Sequence, residues 1–387
     1  MSADRVKRTV LIWSPFRGRV GTPAAMLSYA NALMDLGYDV LIVQLVDEWE
    51  PYKDELHPEI RMASLFRSRT LRRFGASNWL RRRDYYLLSF LGVRRLRRLM
   101  DREKPWRMIT ALLAVPLILA CPPKARGQIV VSVQGFPKFL AKSGGGAYYK
   151  VEDSIRLWMW RRFYGACGHV ITMTEYTRQK LISMGVVPSH KVRCISNPLF
   201  QTQPAKLPQT SVFSNVIYVG RVTEQKDPGL FADAAREAHK LGLPLNFHVF
   251  GEGTNADIAK LRERAAPGFL TFHGHVEPLW ERIPENAILL CTSRWEDPGH
   301  MIVEAMWHGV PVVAVERQSG HLELLDEGRG LTCSPTPEAI LQTLTRFQHR
   351  SDINNILAAA QSYVSRRFTS DSFRYAVKEL LNDKSSF

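Results

Sequence analysis

Residues 9–45 read TVLIWSPFRGRVGTPAAMLSYANALMDLGYDVLIVQL. The apolar run Thr9–Trp13 predicts a strand, and a loop carrying Gly18 and Gly21 follows it. From Pro23 to Leu36 the apolar residues fall at 26, 27, 30, 33 and 34, which is helical spacing, and Gly37 stops the pattern. Asp39–Leu45 is a second apolar run. A strand, a glycine loop, a helix and a strand in so short a span read as one βαβ unit of a parallel sheet.

The alternation continues outward from this unit. Further strands are expected near 108–112, 128–133 and 169–173, and the unbroken apolar run Ile129–Val133 suits a strand covered on both faces. Residues 198–215 hold Pro198, Pro204 and Pro208 among Gln, Ser and Thr, a linker composition. The pattern then restarts with a strand over Asn215–Val219, a helix over Pro228–Leu241, a strand over Leu245–Phe250 and a helix over Thr254–Ala266. Strands follow near 269–273, 287–291 and 311–315. Two such series predict an α/β protein of two facing, doubly wound domains, residues 1–200 and 201–365, with ligand at the C-terminal strand ends. The apolar periodicity of 355–381 predicts a terminal helix, and 366–387 is expected to pack back toward the first domain.

The chain has 387 residues and 45% apolar content, which suits a globular protein of two ordinary domains. Its charge is unevenly spread. Residues 1–197 hold 33 Lys and Arg against 15 Asp and Glu, whereas the whole chain holds 52 against 37. All of the net +15 therefore comes from the N-terminal half. A field so local predicts an anionic partner for one domain only. The five cysteines form no C-x-x-C pair, which argues for a reducing compartment and against a structural zinc. No signal-peptide pattern precedes Thr9, and the apolar run Met108–Cys121 is too short to span a bilayer, so a cytoplasmic protein is expected.

Candidate chemistry lies in the second half. Gly220 and Arg221 directly follow a strand, with Lys226 in the next loop. A glycine there lets backbone approach a ligand, and the two cations suit a diphosphate. Gly251 and Gly253 end another strand in Phe-Gly-Glu-Gly-Thr. Glu296 sits in a loop with Pro298 and Gly299, and Glu304 lies just inside the helical pattern that ends at Gly309. A loop leading into a helix start offers backbone N–H groups to an anion and a carboxylate to hydroxyls.

In this order, Val-Gly-Arg…Lys, Phe-Gly-Glu-Gly, Glu296…Glu304-Ala-Met…Gly309-Val-Pro-Val-Val-Ala and Ser319-Gly320 resemble the donor domain of family-4 retaining glycosyltransferases, which have the two-domain GT-B fold. The likeness is strong over 215–333 and visible in the first half at Gly18…Gly21-Thr22, Val130–Val133, Val170–Gly185 and Ser196-Asn197-Pro198. The resemblance implies a nucleotide-sugar donor, a glycan or lipid-linked acceptor, and neither metal nor other cofactor. It makes Arg221, Lys226 and Glu296 the catalytic candidates. The two cations would bind the diphosphate and stabilise the leaving nucleoside diphosphate. Glu304 would accept from the ribose hydroxyls. Glu296, Gly299, His300 and Met301 would contact the donor sugar, with Ile302 and Val303 near the phosphate at the helix start. Gly220, Gly251 and Gly253 complete the donor side, and Gly18 and Gly21 would approach the phosphates and acceptor. The chain departs from the family at Gln134, where a histidine is common; an amide can bind a sugar hydroxyl but cannot take a proton. It departs again at Asp297-Pro298-Gly299-His300, which implies a different donor sugar.

The anionic partner is sought in residues 79–100, where arginines at 81–83, 94, 95, 97 and 98 flank apolar residues at 85, 88, 91, 96 and 99. One interfacial helix on an anionic bilayer fits this pattern, with Arg156–Tyr164 as a second aromatic and basic patch. The implied protein is peripheral on the cytoplasmic face of the inner membrane, in bacterial surface polysaccharide or lipopolysaccharide synthesis. Two other readings remain open: a sugar-nucleotide epimerase of the same fold, and a nucleic-acid binder, although no nucleic-acid module is visible.

Overall fold

A computed structural model describes residues 8–15, 21–67, 82–111, 114–137, 147–199, 204–207, 213–265, 268–348 and 350–383. The chain divides into two compact units. One is built from residues up to Gly135, the stretch ending at Pro198, and Ser370 onward; the other is built on Leu199–Thr369.

In the first unit β1 (Thr9–Trp13) leads to α1 (Gly21–Asp35), β2 (Asp39–Gln44) and β3 (Arg61–Ser64). Next come α2 (Arg82–Leu91), α3 (Val93–Glu103), β4 (Arg107–Thr110), α4 (Ala114–Ala120), β5 (Ile129–Ser132), α5 (Ala147–Phe163), β6 (His169–Thr172), α6 (Glu175–Ser183) and β7 (Val192–Cys194). Every pairing is parallel, in the order β3-β2-β1-β4-β5-β6-β7. β1 lies inside the sheet, and its Val10–Trp13 are fully buried, as residues of a strand covered on both faces must be. The edge strand β3 carries the exposed pattern Arg-Met-Ala-Ser, and that polarity hides it from a search for apolar runs.

The second unit repeats the scheme: β8 (Asn215–Val219), α7 (Pro228–Lys240), β9 (Asn246–Phe250), α8 (Asn255–Ala265), β10 (Leu270–Gly274), β11 (Ala287–Cys291), α9 (His300–Trp307), β12 (Val312–Val315), β13 (Leu331–Cys333), α10 (Pro337–Gln348) and α11 (Ile353–Arg367). Its parallel sheet runs β10-β9-β8-β11-β12-β13. One apolar cluster, with Phe231, Val249 and Phe347, fills one face of this sheet. Another, with Cys291, Ile302 and Phe368, fills the other.

The periodic tail does not form one helix. It breaks at Phe368, whose ring is buried in the second unit's core and whose carbonyl accepts from Leu199 N–H at 2.8 Å. α12 (Ser370–Asn382) then packs in the first unit, where Phe373, Val377, Leu380 and Leu381 join the core of β1 and α1. Tyr29 meets Phe373 edge-on at 4.8 Å, and Arg374 pairs with Asp35 at 2.8 Å.

The segment 79–100 also differs from expectation. Residues 79–81 lie outside the described set, and the rest forms two helices rather than one. Leu96, Leu99 and Met100 are buried, so the apolar face of α3 belongs to the core, and its arginines and Asp101 face solvent. The apolar residues left outside are Leu87, Phe90 and Leu91 of α2.

Candidate functional site

The C-terminal ends of β8 and β9 meet backbone to backbone. Gly220 N–H donates to Phe250 O at 2.9 Å, and Val222 N–H to Glu252 O at 2.7 Å. Gly251 has φ +147, and a Cβ there would lie 2.0 Å from Gly220 O. A Cβ on Gly253 would lie 2.7 Å from that of Val222. These two glycines therefore exist so that one loop can lie against the other. Gly220, at φ +146, is covered by the Lys226 stem, whose Cε would stand 3.3 Å from a Cβ there.

That stem carries the Lys226 ammonium to Glu296 Oε1 at 2.5 Å and to Met301 Sδ at 3.4 Å. The ion pair is well shielded, with 15% and 9% of the two side chains exposed. Gln225 donates to Trp295 O at 3.1 Å, and Arg294 N–H donates to Gln225 O at 2.8 Å. Thr292 Oγ1 donates to Lys226 O at 2.9 Å. Arg294 also pairs with Asp227 at 3.0 Å, beside Arg317 at 3.5 Å. The lysine loop and the glutamate loop are thus sewn together. Arg221 stands apart: its side chain is exposed, and its carbonyl accepts from Tyr218 OH at 2.8 Å.

Ser319 fixes the Glu296 backbone from the other side. Its hydroxyl accepts from Glu296 N–H at 2.5 Å and donates to Glu296 O at 2.6 Å, and Gly320 N–H donates to the same carbonyl at 3.0 Å. The neighbouring His321 is fully buried, and burial pushes its imidazole down to about 4.

Gly299, at φ +92, turns the chain into α9. Ile302 and Val303 lie in the first turn of that helix. Their side chains are fully buried, and their N–H groups point to Gly299 O at 2.9 and 3.4 Å. They anchor the helix, and the residues offered at its start are His300 and Met301. Burial lowers the His300 imidazole below its ordinary value. Glu304, one turn on, accepts at Oε2 from Trp280 Nε1–H at 2.9 Å. Burial raises its carboxyl; that hydrogen bond, and then Lys226, oppose the rise.

In the first unit Gln134 lies two residues past the end of β5. Its Oε1 accepts from Asn197 Nδ2 at 2.6 Å, and its Nε2 donates to Ser132 Oγ at 2.6 Å. Gly21 opens α1, and no described residue comes within 4 Å of where a Cβ would stand. Gly18 lies outside the described residues. Among the described residues, no group of three or more His, Cys, Asp or Glu is placed to hold a metal ion.

The structure thus brings together Gly220, Lys226, Glu296, Gly299, Met301 and Glu304, which the sequence spreads over many elements. Sequence reasoning passed over Gln225 and Trp280 and gave Ser319 no role. No period or spacing marks such residues, because their partners are distant in the chain.

The descriptions of two protein families match this chain: Glycosyltransferase Family 4 over residues 21–199 and Glycosyl transferases group 1 over 214–350. The alpha-D-kanosaminyltransferase of Streptomyces kanamyceticus is 23% identical over 223 residues. That match takes in 52% of this chain and 56%, little more than half, of the relative. Sucrose-phosphate synthase from Thermosynechococcus elongatus superposes with a TM-score of 0.73 at 17% identity, covering 97% of this chain and 98% of the other. Anabaena HepE, solved with UDP and glucose, gives a TM-score of 0.69 at 16% identity, covering 97% and 99%. The fold is GT-B. The chain belongs to the glycosyl transferases group 1, a family of transferase enzymes.

Proposed function

We propose that the chain is a retaining glycosyltransferase that moves a sugar from a nucleotide-sugar to a glycan or lipid-linked acceptor, in bacterial surface polysaccharide or lipopolysaccharide synthesis. The observation that carries the reading is the meeting of Lys226 and Glu296 at one group of strand ends, with Met301 and Glu304 on the adjoining helix. The second unit takes the donor and the first takes the acceptor. That HepE is solved with UDP and glucose supports a nucleotide-sugar donor.

In the reaction the acceptor oxygen bonds to the anomeric carbon. The bond from that carbon to the diphosphate oxygen breaks, and its electron pair leaves on the phosphate. Arg221 and Lys226 neutralise the charge that develops there, so no resident metal or other cofactor is required. The acceptor proton passes to the departing phosphate oxygen on the same face, which retains the configuration. Gln134 fits this scheme, since an amide binds a hydroxyl without taking its proton. Before the donor arrives, Lys226 and Glu296 satisfy each other. Afterwards the diphosphate takes the ammonium, and a sugar hydroxyl donates to the carboxylate.

A thermal-shift screen over UDP-, GDP- and ADP-sugars tests the donor side. A true donor at a hundred times its Kd stabilises the protein by about 2.7 kcal/mol. Glu304→Ala is expected to weaken that donor by roughly 10- to 100-fold, as loss of a charge-assisted hydrogen bond does. An unchanged shift in the variant would sink the ribose role.

For the membrane, the supporting observation is a set of exposed apolar side chains beside arginines. Leu87 and Leu91 of α2 are each 62% exposed, and Arg94, Arg97 and Arg98 follow on α3. On α5, Val151, Ile155 and Trp158 are 58%, 55% and 62% exposed, with Arg162 near them. Among the described residues no helix is long and apolar enough to cross a bilayer. Each base at an anionic surface contributes about 1 kcal/mol. The protein is expected to float with phosphatidylglycerol vesicles, less so at high salt, and Leu87→Glu with Leu91→Glu should reduce flotation. Equal flotation with neutral vesicles would remove the electrostatic part of the claim.

A further inference from the structure

We infer that Trp280 is a positioning residue that holds Glu304 in the orientation selecting a ribonucleoside diphosphate over its deoxy analogues. The inference rests on the donor reading of Glu304 above. Trp280 lies in the segment between β10 and β11, outside every motif that carries the family likeness. Its indole N–H donates to Glu304 Oε2 at 2.9 Å.

The ring is itself held. It stacks on His308 at 5.2 Å with planes 9° apart, and His308 sits one turn beyond Glu304 on the same stretch of chain. Trp280 also packs with Leu279 and Ile283 against the apolar cluster under α9. The indole therefore reads the position of α9 directly, and the N–H has little freedom of its own.

A carboxylate only accepts, and it has two oxygens. The indole's hydrogen bond to Oε2 fixes the rotation of the carboxylate, and Oε1 is the oxygen assigned to a ribose hydroxyl. A free glutamate would have to be ordered by the ligand, at an entropic cost that a preset one avoids. Among the described residues, Lys226 is a cation whose field reaches Glu304, and His300 and His308 flank it one turn to either side. Burial favours the neutral form of both histidines, so neither competes with the indole as a charged partner.

The test is Trp280→Phe, which keeps an aromatic ring to stack on His308 and removes the N–H. Kd values would be measured by titration calorimetry for UDP, GDP or ADP, whichever nucleotide the sugar screen ranks first, and for its 2′-deoxy and 3′-deoxy forms. The wild type is expected to prefer the ribonucleotide over at least one deoxy form by about tenfold or more, the usual effect of losing a hydrogen bond to a charged group. In the variant the ribonucleotide should weaken by a similar factor and the deoxy forms hardly at all, so the ratio collapses toward one. In turnover the loss should appear in KM for the donor rather than in kcat. A ratio kept at the wild-type value in Trp280→Phe but lost in Glu304→Ala overturns the positioning role alone. A wild type that ignores both hydroxyls, with Glu304→Ala binding equally well, overturns the ribose role of Glu304 and this inference with it.

Discussion

Lys226→Met lowers kcat by roughly 10²–10³, the range seen when one donor to a developing oxyanion is removed. Methionine keeps an apolar stem against Gly220, so the β8 loop retains its packing. What disappears is the ammonium 2.5 Å from Glu296, and with it the charge that the proposed reaction sets against the leaving diphosphate. The same change leaves a carboxylate with only 9% of its side chain exposed and without its counter-ion. Breaking a shielded pair from one side costs about 3 kcal/mol or more. Lys226→Met should therefore unfold earlier, and activity and stability must be separated. Adding Glu296→Gln removes the stranded charge. The double variant is expected to recover most of the stability while staying inactive. Stability and activity returning together would mean that Lys226 serves only the fold.

Gly251→Ala disrupts the second unit, with an expected loss of roughly 3–5 kcal/mol and a Tm lower by about 10 °C or more. Two causes act together. At φ +147 an L side chain is strained, and its Cβ would stand 2.0 Å from Gly220 O and 2.7 Å from Gly220 C. Neither obstacle is a side chain that can swing aside. The end of β8 would have to move, and Arg221 and Lys226 move with it. Gly242→Ala is the control, since Gly242 has φ +64 and open space around it. It should lose only about 1–2 kcal/mol from conformational strain. Calorimetric unfolding of both variants checks the claim. Similar losses in the two would show that close approach at Gly251 is not what matters.

The sequence by itself determined the fold class and most of the element order. Thr9–Trp13, Asn215–Val219 and Ala287–Cys291 are apolar runs long enough to be buried on both faces, and the chain has few other ways to place such runs. It also placed Gly220, Lys226, Glu296 and Glu304 at strand-end loops and a helix start, because such loops lie at predictable places in a parallel sheet.

Tertiary structure decided what period and spacing do not encode. Leu96 and Leu99 show the same helical spacing whether they meet a bilayer or a core, and only packing made them core. The tail broke at Phe368 because that ring is buried in the second unit, while Phe373 and Val377 found the first. Ile302 and Val303 turned inward and gave their N–H groups to Gly299, a matter of local backbone geometry. Lys226 met Glu296, Ser319 clamped that glutamate, and Trp280 fixed Glu304 through pairings between residues distant in the chain. A hydrogen bond depends on where two atoms end up in space, and one sequence read along its length gives no such distance.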